Sequence, residues 1–178
     1  MPSPEHGRIH TRTVVHKFID PDRRVYELAR SGASVEAIAR ELDGRLVESR
    51  EIHGNLFLTE GINLIWTAVT GGTFTPFNSA NAHVGVGDGT DPASYTQTGL
   101  TGVNKSYKPM DAGYPTVSER TATFRATFGP DDANFAWNEW TVANGPGDAY
   151  VNLNRKVESL GTKSPGSTWI LTVQLTIG

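Results

Sequence analysis

A chain of 178 residues, 37% hydrophobic and 20% charged, is long enough to bury a core and has no apolar run approaching a membrane span. A formal charge of −3 argues against a broad basic face for nucleic acid, and the lack of cysteine rules out disulfides and thiolate metal sites. Nineteen glycines and ten prolines imply many turns and favour a β-rich class over a helical bundle.

Residues 1–8 carry Pro2, Pro4 and Gly7 with little apolar content, and read as a flexible arm ahead of one β-rich domain over 9–178. The start, MPSPEHGRIHTR, lacks the apolar core of a signal peptide, so folding in a cytoplasm is expected. Residues 9–19 are β-branched and polar by turns and predict a strand. Asp20-Pro21 predicts a helix start, with Asp as N-cap and Pro first, Val25, Leu28 and Ala29 as apolar stripe and Gly32 as the end. Ser34 caps a second short helix bearing Val35, Ile38, Ala39 and Leu42 at i, i+3, i+4 and i+7, which Asp43-Gly44 breaks. Residues 45–58 predict a strand that pairs with 9–19 as a hairpin, the two helices of 20–44 being inserted between them. A third helix is predicted over 60–70, capped by Thr59, burying Ile62, Ile65, Trp66 and Val69, and stopped at Gly71-Gly72.

From there the chain reads as strands and turns. Short strands are predicted at 82–87 and 103–108. In 117–128, Ala122, Phe124, Ala126 and Phe128 face one side and Thr123, Arg125 and Thr127 the other. Further strands are predicted at 134–143 and 149–158. In the last strand Trp169, Leu171, Val173, Leu175 and Ile177 alternate with Ile170, Thr172, Gln174 and Thr176. The fold expected is mainly β: an antiparallel β-sandwich or flattened barrel with one packed helix and a small inserted helical hairpin.

The stretch HVGVGDGTDP, residues 83–92, poses the first functional question. A dinucleotide fingerprint needs its third glycine one residue later and a helix directly after it. A calcium loop needs more oxygen ligands than Asp88, Thr90 and Asp91, closed by a bidentate glutamate. A strand whose glycines admit close backbone, ending in a Gly-Asp-Gly turn, accounts for the pattern better. The helical pair at 20–44 resembles two thirds of a helix-turn-helix, but β-leaning LVESREI follows where a recognition helix belongs. Trp137-Asn138-Glu139-Trp140 could form a sugar site. Strand alternation puts the two tryptophans on opposite faces, Trp140 continuing an inward pattern with Val142. Trp137 and Glu139 share a face that could offer a shallow polar-aromatic patch, but core or interface packing is the favoured reading. There is neither H-E-x-x-H nor G-x-S-x-G, and Asp131-Asp132 sits in a Gly-Pro turn, so no catalytic, metal or cofactor-binding residues are expected.

Two stretches carry a resemblance. EIHGNLFLTEGINLIWTAVTGG, followed by AHVGVGDGTD, resembles a pattern in tailed-bacteriophage virion proteins. TFRATFGPDDANFAWNEWTVANG, continuing through LNRKVESLGTK to TWILTVQLTI, is similar to the C-terminal part of phage structural proteins. Together they cover roughly residues 50–178. The resemblance implies a virion shell or tail component and not an enzyme. A capsid decoration protein, bound to the major capsid protein and to copies of itself, is the first expectation. A tail or carbohydrate-binding receptor component is the second, and a DNA-binding regulator the third. The candidate partner-binding residues are Ile9, Val15 and Phe18, able to join a sheet edge, together with Trp137 and Glu139.

Overall fold

In the computed structural model, which describes residues 9–178, the predicted alternation is realised as two packed antiparallel sheets without barrel closure. The elements in chain order are β1 (Ile9–Ile19), α1 (Arg24–Arg30), α2 (Val35–Glu41), β2 (Leu46–His53), β3 (Leu56–Phe57), α3 (Thr59–Val69) and β4 (His83–Gly87). They continue as β5 (Lys105–Pro109), β6 (Thr116–Ser118), β7 (Thr121–Phe128), β8 (Ala136–Ala143), β9 (Asn154–Thr162) and β10 (Ser167–Ile177). One sheet has the order β2-β1-β10-β7-β6 and the other β3-β9-β8-β4-β5. The apolar alternation of β10 fits its place: flanked by β1 and β7, the strand buries Trp169, Leu171, Val173 and Leu175 against the second sheet. That sheet answers with Val84, Val86, Trp137, Trp140 and Val142. Each fully buried large side chain of this kind contributes about 1.5–3 kcal/mol, so the interlayer core dominates stability.

The predicted hairpin of β1 and β2 forms, with the two helices inserted in its connection. They close over the outer face of the first sheet, where Phe18 and Ile170 meet Val25, Ala29, Ile38 and Leu42. Ser34 caps α2 as predicted, accepting from the Ala37 N–H at 3.1 Å. Helix α1 begins at Arg24 instead of Pro21, yet Asp20 still holds its start, accepting from the N–H groups of Val25 and Tyr26 at 3.0 Å each. Arg125 and Asp111 fasten the insertion to β7. The Arg125 guanidinium donates to Ala29 O, Ala33 O and Asp111, and Asp111 also accepts from Thr127 Oγ1 and Arg30. These are buried charges whose hydrogen-bonding capacity is met inside the fold.

Four further expectations change. The predicted strand 45–58 divides at Gly54, whose φ of 78° turns the chain from β2 in one sheet to β3 in the other. Residues 117–128 form two strands, with Glu119 at φ 51° in the bend between β6 and β7. The strand expected at 149–158 starts only at Asn154, after a loop attached by the Ala143–Asn152 bridge. Helix α3 forms, but buries Gly61 instead of its apolar stripe: Ile62, Trp66 and Val69 stand exposed and Ile65 is half-buried. A side chain at Gly61 would meet Leu153 O at 2.6 Å, so close backbone approach there sets the rotation of the helix.

Candidate functional site

The glycine run lies on the outer face of the second sheet and wraps a buried carboxylate. Gly85 and Gly87 are in β4, beside β8. A Cβ on Gly87 would stand 2.6 Å from Glu139 Oε1, and one on Gly89 would also strike the Gly102 backbone at 2.6 Å. Glycine is therefore required by proximity. Glu139 accepts N–H bonds from Gly89 at 3.1 Å, Thr101 at 3.0 Å and Gly102 at 2.7 Å. Arg155 completes the cradle, its Nε and Nη2 each 2.7 Å from Oε2. The other Arg155 donors reach Asp91 O, Gln97 Oε1 and Thr101 Oγ1. This is an anion nest filled by the protein's own side chain, and it ties the 88–104 loop to the sheet. Asp88 is likewise engaged, accepting from Asn104 N and Nδ2 at 3.0 and 2.6 Å.

Four of the five predicted partner-binding residues are buried. β1 is an interior strand, so Val15 and Phe18 join no free edge: Val15 lies in the interlayer core and Phe18 under the helical hairpin. A bulge in the pairing of β8 with β9, between Trp137 and Glu139, breaks the simple alternation. Both tryptophans consequently enter the same core, while Glu139 points to Arg155. Their indole N–H groups are satisfied by Ala133 O at 2.9 Å and Thr13 Oγ1 at 3.1 Å. No polar-aromatic patch of Trp137 and Glu139 reaches the surface. Ile9 alone is exposed, paired with Ile177 at the end of β10. The reading of residues 1–8 as an arm lies outside the described residues.

After α2 the chain forms strand β2, as the β-leaning LVESREI predicts, where a helix-turn-helix would place its recognition helix. Among the described residues no group of three or more His, Asp or Glu is arranged to hold a metal ion, and no helix is long and apolar enough to cross a membrane. Residues that sequence reasoning passed over, Arg155, Arg125 and Asp111, form the two polar networks. Arg125 stood on the polar face of its strand, and nothing local signals that helices cover that face.

A cleft of about 440 Å³ remains where the helical hairpin stops short across the first sheet. Arg12 and His16 of β1, Glu51 of β2, Glu36 of α2, Arg125 of β7 and Tyr114 line it. Arg12 is bound to Glu51 and Arg125 to Asp111, whereas the buried Nδ1 of His16 has no hydrogen-bond partner among the described residues. Burial lowers the His16 pKa below its ordinary value; Glu36 opposes the shift, and Arg125 and Arg12 add to it. The unfolded chain thus takes up a proton more readily, and stability falls as pH drops below about 6.5. His16→Gln removes this contribution. In urea unfolding, the difference between wild type and variant should change across that pH range; parallel curves would show that His16 does not supply it.

The chain matches no family model, no curated protein and no solved structure.

Proposed function

We propose that this chain is a structural protein of a tailed-bacteriophage virion, and specifically a head decoration protein. It would act by binding the major capsid protein and copies of itself, with no catalytic step. The observation that carries the reading is the ordered resemblance across roughly residues 50–178. Its quoted stretches supply α3, β4 and β7 to β10, which form much of the sandwich frame. The polar networks support a rigid binding module, because Glu139, Arg155, Asp111 and Arg125 spend their hydrogen bonds on the chain's own elements.

Co-sedimentation with mature capsids stripped of accessory proteins tests the proposal. Saturable binding at a fixed copy number, with a rise in capsid melting temperature, is expected. Deleting residues 2–8 should weaken that binding far more than it lowers the melting temperature of the free protein, if those residues are an assembly arm. Binding to purified tails and not to capsids would move the chain to the tail. Binding to neither would overturn the virion reading.

A further inference from the structure

We infer that the apolar face beside α3 is the surface through which two copies of this chain associate. Between α3, β3 and the strands β7 and β10 a groove of about 460 Å³ is walled by Phe57, Ile65, Phe77, Leu153, Ala122 and Leu175. Val117 and Ile177 continue its lining and are 78% and 57% exposed. Ile9, 39% exposed, pairs with Ile177. On α3, Ile62 and Val69 lie three residues before and four after Ile65, so they extend the same side of the helix, with Trp66 adjoining both. Trp66 is 62% and Val69 71% exposed.

The composition of this region is that of an interface centre. Residues 54–82 hold a single charged side chain, Glu60, in a chain that is one-fifth charged. Glu60 is turned elsewhere, accepting from the Asn152 N–H at 2.7 Å. Charge depletion with exposed aromatic and aliphatic side chains marks the core of protein contacts. The exposed parts of Ile9, Ile62, Trp66, Val69, Val117 and Ile177 offer on the order of 600 Å², before the groove walls are added. That approaches the roughly 800 Å² per partner of a standard interface.

A second copy is the occupant that the charges favour. A charged patch laid on itself across a twofold axis meets like charge, whereas this face has no such penalty at its centre. The groove's charged lining residues are Glu119 and Arg120, adjacent and opposite in sign, and neither makes an ion pair among the described residues. A twofold contact can set Arg120 of one copy toward Glu119 of the other. This deepens the virion reading by naming the self-contact. The test uses the purified chain alone, so self-association and capsid binding can fail separately.

The molar mass of the full chain is measured by sedimentation equilibrium from low micromolar to submillimolar concentration. Wild type should rise to twice the monomer mass. Trp66→Glu and, separately, Val69→Asp should remain monomeric with the wild-type melting temperature, since both side chains are exposed. Val103→Glu, at an exposed loop position outside the face, should dimerise like wild type. A wild type that stays monomeric throughout, or a dimer retained in both face variants, would overturn the inference.

Discussion

Replacing Glu139 with alanine should destabilise the fold by about 3–5 kcal/mol, as expected when one partner of a buried ion pair is removed. Both Glu139 and Arg155 are fully buried. Without the carboxylate, Arg155 keeps its charge but retains only Asp91 O, Gln97 Oε1 and Thr101 Oγ1 as acceptors. The N–H groups of Gly89, Thr101 and Gly102 lose their acceptor as well. Two losses therefore act together: an uncompensated cation and several unsatisfied donors. The 88–104 loop, whose attachment runs through these bonds, should show faster amide exchange before the strands do. Glu139→Leu combined with Arg155→Met should recover part of the loss, because the orphaned charge is gone while the donors remain unpaired. Urea unfolding of the single and double variants measures this coupling. A loss below about 1 kcal/mol for Glu139→Ala would mean that the nest does not hold the loop.

The same site shows what the sequence could and could not disclose. The glycines of HVGVGDG announced close approach, and this is their role, but the approaching group lies 50 residues away at Glu139. Spacing within the motif contains no trace of that partner. The β8 bulge defeated the period-two reading of Trp137 and Trp140, because one extra residue resets which face each later side chain occupies. Strand β10 and the β1–β2 hairpin were legible for the opposite reason: long uninterrupted alternation and short amphipathic helices leave little choice of face. Helix α3 was legible as a helix but not in its orientation. Hydrophobic periodicity nominated Ile62, Trp66 and Val69 for burial, whereas the tight contact at Gly61 decided which side meets the sheet. An apolar stripe identifies a surface that favours burial; it does not say whether its own domain or another copy covers it.

Val173→Asp should cost several kcal/mol, enough to prevent folding if the protein has the usual total stability of about 5–15 kcal/mol. Val173 is fully buried, in register between Thr13 of β1 and Phe124 of β7, and belongs to the core that joins the two sheets. Neighbouring strands hold it on both sides, so the introduced carboxylate could not swing to solvent without breaking the sheet. It would be forced toward its neutral form, with a pKa raised well above that of an exposed aspartate. The sign follows: the variant should be least stable above this raised value and should regain stability relative to wild type as the pH falls and the group protonates. Gln174→Glu is the control for register. Gln174 is on the opposite face of the same strand and accepts from Arg12 Nη1 at 2.9 Å, so a carboxylate there keeps a cationic donor. Thermal unfolding should place Gln174→Glu within a degree or two of wild type. If the two substitutions instead melted alike, β10 would not present alternate residues to core and surface, and the sandwich register would be wrong.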